Sequence, residues 1–310
     1  YEKKVKLAEI QKMMQDKIPP ELGQSIRAYM RISMLLNPKT QVRNIFGNVG
    51  IMPVNVVADT IASQIDKVIA HKTNVRTTGN IDLAQYTKGF KQGLYQSYND
   101  FKKGINTRNM EGNRFEVTEG RSFNNSNILG QAMNKVDNFT SFLLDAGDRG
   151  FYEGAFINSI NNQKVLNNTD TVTQEMIDIA TSEALQRTWQ DNNKYTQFVM
   201  NIRKGLNNIS FKGYGLGDVL IPFAKTPANL TKAIIDYSPV GLVTSITKGK
   251  NLKNAIETGQ FTAKMQHDFV QDLGKATAGT LLYVLGYALA SAGGLIPNGQ
   301  VFIQVPHRIQ

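Results

Sequence analysis

The chain has 310 residues, enough for one large or two ordinary domains with a real core. It contains no cysteine, which excludes disulfides, thiol catalysis and cysteine metal ligands. Its net charge of +10 biases it toward nucleic acid or anionic lipid. However, only 19% of residues are charged while Asn and Gln abound, so it does not read as a dedicated nucleic-acid binder.

The chain opens on Tyr1 without an initiator Met or a signal-peptide pattern, so it reads as a fragment or processed product. Helical periodicity dominates. Val5, Leu7, Ile10, Met13 and Met14 predict a first helix over 3–16, ended by Pro19-Pro20. Leu22, Ile26, Tyr29, Met30 and Ile32 predict a second over 21–36, broken at Asn37-Pro38. Gly47, Gly50 and Pro53 then punctuate an apolar run, and a third helix is expected from about 54 to 70. Val57, Ile61, Ile65 and Ile69 form its narrow apolar stripe. The basic residues at its end, Lys67, His71, Lys72 and Arg76, complement the helix dipole.

Asn80 is expected to cap a helix through 103, with Leu83, Tyr86, Phe90, Leu94, Tyr98 and Phe101 as its core face. Lys88, Lys91, Lys102 and Lys103 fall elsewhere on it. Residues 104–127, rich in Gly, Asn and Ser, read as a long loop or domain break. A long helical pattern resumes over 128–161. Thr171 and Gln174 fit a capping box for a helix ending near Trp189. Shorter helices are expected over 195–206 and 225–237, the latter broken by Ser238-Pro239. Val301–Val305 alternate and predict one short strand. The expected fold is therefore mainly α, an irregular multi-helix bundle with long loops. Its expected blocks are an N-terminal helical region (1–103), a linker (104–127), a central helical region (128–237) and a C-terminal region (238–310).

Between Lys275 and His307 no residue is ionisable as Asp, Glu, Lys, Arg or His. The core of that gap, 276–296, would be about 30 Å long as a helix, close to a bilayer's hydrocarbon thickness. Gly286, Ala290 and Gly294 recur every four residues and permit close helix–helix approach, and Gly279 and Leu282 belong to the same predicted packing or membrane-contacting segment. Its glycines, hydroxyls and central Tyr283 and Tyr287 make membrane insertion marginal. Upstream, Lys248, Lys250, Lys253, Lys264 and Lys275 form a basic approach suited to an anionic leaflet.

Enzyme signatures are missing: there is no P-loop, GxSxG or HExxH motif, and His71, His267 and His307 stand far apart. Gly213, Gly215 and Gly217 are spaced too closely for a dinucleotide loop. Asp145 and Asp148, with Glu153, form the densest acidic cluster, and the adjacent Arg149 makes a solvated or salt-bridged face the favoured reading over a metal site. No cofactor or metal site is expected. The basic helix ends Lys67, Lys72, Arg76, Lys88, Lys91, Lys102 and Lys103 are the residues expected to meet DNA or another anionic partner.

Two stretches, LNPKTQVRNIFGN (36–48) and IPFAKTPANLTKAIIDYSPVGL (221–242), resemble segments of large polyvalent proteins of phages and mobile elements, several of which resemble internal virion or ejection proteins. The resemblance rests on Asn37, Pro38, Thr40, Arg43, Asn44, Gly47 and Asn48, and on Pro222, Phe223, Lys225, Thr226, Pro227, Asn229 and Pro239. Arg43, Asn44, Asn48, Lys225, Thr226 and Asn229 are expected to make polar contacts, with Thr226 the N-cap of the helix that Pro227 opens. The resemblance implies a non-enzymatic segment of a larger protein, packaged in the capsid interior or tail and ejected toward the host envelope. A membrane or channel, other phage structural proteins, a second copy of the chain, or DNA would be its partners. A structural helical component of the particle, or a basic DNA-contacting module, is the alternative.

Overall fold

The computed structural model describes residues 1–20, 22–36, 38–105, 107, 122–211, 214–221 and 225–292. These residues are mainly α-helical, as the periodicity predicts. In chain order they form α1 (Glu2–Gln15), α2 (Leu22–Leu35), α3 (Pro38–Thr73), α4 (Leu83–Lys103), α5 (Ile128–Leu166), α6 (Gln174–Arg187) and α7 (Lys194–Asn207). A two-residue antiparallel ladder, β1 (Ser210–Phe211) with β2 (Tyr214–Gly215), precedes α8 (Leu216–Leu220), α9 (Lys225–Asp236), α10 (Pro239–Glu257) and α11 (Ala263–Ala292). The strand expected at 301–305 and most of the expected loop at 104–127 lie outside the described residues.

The chain forms two compact units that interleave along the sequence, whereas four consecutive blocks were expected. One comprises Tyr1–Pro53 and Ile81–Lys232, the other Val54–Asn80 and Ala233–Gln310. The first boundary falls inside α3, at Pro53. There the helix begins at Pro38 rather than near 54, because proline suits a first helical position that needs no amide donor. Gly47, Gly50 and Pro53, expected to interrupt the chain, are carried inside the 36-residue helix.

In the first unit α4 and α5 run antiparallel and pack on a glycine seam. A Cβ at Gly93 would lie 2.4 Å from the Arg149 carbonyl oxygen, and one at Gly89 2.3 Å from that of Glu153. On the facing helix, Gly150 lies under the Phe90 ring and Gly154 under Tyr86. Tyr86, Phe151, Ala155 and Ala184 form the core, with Phe90 edge-on to Phe151 at 5.2 Å. Phe101 stacks on Phe142 at 4.8 Å near the other end of the pair. Leu83, Leu94 and Tyr98, expected in the core face of α4, are exposed instead, because the glycine seam turns the helix so that Tyr86, Gly89, Gly93, Gln96 and Ser97 face inward. The N-cap of α4 is Asp82 rather than Asn80, its Oδ1 accepting from the amides of Ala84 and Gln85 at 2.9 and 3.2 Å. Gly104 ends the helix in the left-handed region, which glycine adopts without Cβ strain. The α6 cap is likewise two residues later than expected, at Thr173.

The second unit is built from the Val54–Thr73 part of α3, the end of α9, and the antiparallel pair α10–α11. Its core is made of small residues: Ala58, Ala62, Ala255, Ala276 and Ala278 are buried beside Leu252 and Val270. A Cβ at Gly274 would lie 2.6 Å from the Ala58 carbonyl oxygen, so α11 lies close against α3. Gly241 faces Ala276 and Gly249 faces Phe269, which sets the register of α10 against α11. At Gly279 the Tyr237 backbone crosses α11 with no room for a side chain.

Candidate functional site

Among the described residues, the partners of α11 within its unit run out beyond Gly279. α10 starts at Pro239 and the unit's share of α3 at Val54, opposite the last buried residues of α11. The helix nevertheless continues to Ala292, an overhang of about 18 Å for residues 281–292 at ~1.5 Å per residue. Leu281 to Leu289 are all exposed, Leu285 by 55% and Leu289 by 64%, and the run is Leu-Leu-Tyr-Val-Leu-Gly-Tyr-Ala-Leu. Nine consecutive residues cover the whole circumference of a helix, so the tip is apolar on every side rather than along one stripe.

Of the predicted packing residues, Gly279 makes a close approach within the chain, Leu282 is exposed, and Ala290 is half-buried. Nothing lies within 4 Å of a Cβ at Gly286, and Gly294 lies outside the described residues. Gly286 thus has nothing packed against it in the described chain, while the helix packing is done by Gly274 and Gly279 below it. No described helix is long and apolar enough to cross a membrane. The basic approach is corrected in part. Lys275 lies six residues below Leu281, about 9 Å along α11, but the antiparallel turn carries Lys253 and Lys264 to the far end of the pair, with Lys264 about 25 Å from Leu281. Lys248 pairs with Asp272 midway along it, Lys253 with Glu257 at 3.8 Å, and Lys264 with Asp268 at 3.3 Å.

The root of α11 is held by polar groups instead. Asp66 of α3 is fully buried. Its Oδ1 accepts from Thr77 Oγ1 (2.7 Å) and Gln266 Nε2 (2.8 Å), and its Oδ2 from Arg76 Nε (2.7 Å) and the Thr77 amide (3.0 Å). Gln266 Nε2 also donates to the Val75 carbonyl at 2.9 Å, and Thr73 Oγ1 donates to Gln266 Oε1 at 2.8 Å. The buried His267 places Nδ1 3.1 Å from Thr78 Oγ1. Arg76, expected to meet an anionic partner, is therefore paired inside its own unit. The network was not foreseen; three polar residues at 266, 267 and 271 on one helix face are the signal that could have found it.

A second buried charge cluster lies in the first unit. Asp100 Oδ2 accepts from Arg149 Nη1 (3.0 Å), the Thr107 amide (2.8 Å) and Thr107 Oγ1 (2.6 Å). Arg149 Nη2 sits 3.0 Å from Asp145 Oδ2 as an ion pair, off the line of a well-formed hydrogen bond. The salt-bridged reading of Asp145 thus holds, and Asp148 accepts from Gln190 Nε2 at 2.9 Å. Tyr1 Oη donates to Asp100 Oδ1 at 2.7 Å. Burial, then that bond and the Asp100 charge, push the Tyr1 phenol above the ordinary range. Burial also raises the Glu153 carboxyl, against the pull of Arg149 and Lys4, and raises the Tyr86 phenol. A cleft of about 240 Å³ lined by Lys4, Gln92, Gln96, Arg149, Glu153 and Gln190, among others, lies beside the cluster. The charges here neutralise one another, Asp100 through well-formed hydrogen bonds and Asp145 mainly as an ion pair, as in a structural cluster. Among the described residues no group of three His, Asp or Glu side chains could hold a metal ion.

The remaining predicted residues separate. Lys67 and Lys72 are exposed on α3; Lys88, Lys91 and Lys102 are exposed on α4; and Lys103 pairs with Glu9 at 2.7 Å. Of the motif residues, Asn229 is buried and donates from Nδ2 to the Trp189 and Asp191 carbonyls at 2.8 and 3.0 Å, while Asn193 Nδ2 donates to its Oδ1 at 2.5 Å. It ties α9 to the loop that follows α6, where Trp189 is held at a φ of 58°. Thr226 is exposed and already helical, so it is not the N-cap. The side chains of Arg43, Asn44, Asn48 and Lys225 lie outside the described residues.

No family model matches the chain, and neither a curated protein nor a solved structure matches it.

Proposed function

We propose that this chain is a non-enzymatic helical segment of a larger phage- or mobile-element-encoded protein, virion-packaged or ejected, which engages a lipid bilayer through the overhanging tip of α11. The observation that carries this reading is the nine-residue exposed run Leu281–Leu289, apolar round its full circumference. A partner protein covering one face would leave the other faces in water, whereas lipid surrounds a helix on all sides. Burying five half-exposed Leu and Val side chains yields roughly 4–8 kcal/mol, taking half of the ~1.5–3 kcal/mol for each full burial. At about 18 Å the tip dips into one leaflet rather than spanning both. The phage context rests on the resemblance of 36–48 and 221–242.

The test is flotation of the full chain with liposomes. Wild type is expected to float, and Leu285→Lys to lose on the order of 100-fold in partitioning, since Lys for Leu costs about 3 kcal/mol on an insertion scale. Equal flotation of the two would refute the lipid reading. Detergent-free oligomers abolished by Gly286→Leu, without flotation, would support instead the structural role in a particle, with the tip buried in an assembly.

A further inference from the structure

A different surface, on the first unit, carries a second interaction. On α4 the residues Ala84, Lys88, Lys91, Gln92, Tyr95, Tyr98, Asn99 and Lys102 fall within one sector of the helix at 100° per residue, opposite the glycine seam against α5. Tyr95 is 64% exposed and Tyr98 47%, both unusual for rings of that size, and Lys88, Lys91 and Lys102 are exposed between and beside them. Lys102 Nζ lies 4.9 Å over the Tyr98 ring. No Asp or Glu falls in the sector, and among the described residues Lys88 and Lys91 form no ion pair.

We infer that this stripe binds single-stranded nucleic acid. Exposed rings alternating with cations supply stacking platforms for bases and neutralisation for phosphates, without sequence preference. From Lys88 to Lys102 the stripe is about 21 Å long, the span of about six stacked nucleotides at ~3.4 Å per phosphate of one strand. A duplex would hide its base faces from Tyr95 and Tyr98, and the sector offers no Arg for a bidentate contact to guanine. An interfacial membrane helix would need an aliphatic face, and the sector holds no Leu, Ile, Val or Phe. Gln92 both borders the stripe and lines the neighbouring cleft, so amide groups adjoin the path of the strand. The aromatic–basic pairing was hidden in the sequence because Tyr98 scans as a core residue and becomes part of the stripe only once the glycine seam fixes the helix rotation.

The test is fluorescence anisotropy of a labelled 20-nucleotide oligo-dT with the full chain, titrated from low to 200 mM salt. Three lysine contacts predict a slope of log K against log salt of about −2, at roughly −0.7 per phosphate. The triple variant Lys88→Gln, Lys91→Gln, Lys102→Gln is expected to flatten that slope. Tyr95→Ala and Tyr98→Ala each weaken binding roughly 5- to 150-fold with the slope retained. All five positions are exposed, and unchanged circular dichroism checks the fold. Lys67→Gln with Lys72→Gln leaves binding unchanged, and so does Leu285→Lys, which separates this surface from the α11 tip. Tyrosine variants that bind like wild type, a duplex of equal length bound as tightly, or no oligo-dT binding alongside stripe-dependent capture of phosphatidylserine vesicles would each overturn the inference.

Discussion

The α4–α5 seam makes a sharp demand on single atoms. Gly93→Ala adds a methyl group 2.4 Å from the Arg149 carbonyl oxygen, 2.7 Å from its carbon and 3.0 Å from the Gly150 Cα. These neighbours are helix backbone and cannot rotate aside, so α4 must retreat by about 1 Å to reach ordinary contact near 3.4 Å. Such overpacking costs ~1–3 kcal/mol. Alanine's better helix propensity returns ~0.8–1 kcal/mol, leaving a net loss of up to about 2 kcal/mol. Gly147→Ala is the matched control. It lies within α5 with nothing within 4 Å of the new Cβ, and it should gain about 0.5–1 kcal/mol. The propensity contributions are alike in the two variants, so their difference, about 1–3 kcal/mol, isolates the close approach. The chain's single tryptophan, Trp189, lies in the same unit and reports urea unfolding of that unit by its fluorescence. Equal midpoints for the two variants would refute the seam.

Two further outcomes follow from buried charges. Glu153 has a raised folded-state pKa, so the native state holds its proton more tightly than the unfolded chain does; stability is therefore greatest below the ordinary carboxylate range near 4.5 and falls as pH rises through the raised value. Glu153→Gln should thus raise the urea midpoint at pH 7 and lose that advantage below about pH 4, and a gain that persists unchanged at low pH would contradict the cause assigned. Asp66→Ala strips the acceptor from Arg76, Thr77 and Gln266; because Arg76 is partly exposed, the cost should lie near the lower end for broken buried pairs, about 3 kcal/mol. Amide hydrogen exchange over 266–279 should then quicken on the order of 100-fold, and undiminished protection there would show that the network does not hold the root of α11.

The fold class was legible because helical periodicity survives in α1, α2, α5 and α7 whatever packs against them. The extents of α3 and α11 were not. In α3, Gly47, Gly50 and Pro53 are local breaker signals that the longer helix overrides. In α11, residues 263–275 carry Lys, Gln, His and Asp, so the sequence shows an apolar segment starting at 276 where the structure has one helix starting at 263. The uncharged gap itself was plain, since absence of charge is a local property. Which of its small residues pack was not, because Gly286 and Gly279 differ only in what crosses them, and the Tyr237 backbone comes from 42 positions away. The same limit hid the seam: Gly89-x-x-x-Gly93 and Gly150-x-x-x-Gly154 carry the spacing noticed only in the C-terminal segment. The motif residue Asn229 does make the polar contacts expected of it, and all three of those described serve to hold a loop.

The two halves of α11 depend on each other. The second unit's core is built mostly of alanine and glycine, and similar small residues recur along α11 at 274, 276, 278 and 279. The alanine contacts alone would distinguish poorly between this register and one shifted by a turn, because exchanging one alanine contact for another changes little buried area. The close approaches at Gly274 and Gly279 exclude the shift, since any side chain brought beneath the Tyr237 backbone would clash. The polar root excludes it as well. A shift of one turn would carry Gln266 out of reach of Asp66, Val75 and Thr73, leaving a fully buried carboxylate short of a donor at a cost of several kcal/mol. Gln266 at the root and Gly279 beneath Tyr237 agree on one register, and that register starts the overhang at Leu281. An apolar tip has no directional contacts of its own, so its length and exposure are set below it, by the hydrogen bonds of Gln266 and by the backbone approaches at Gly274 and Gly279.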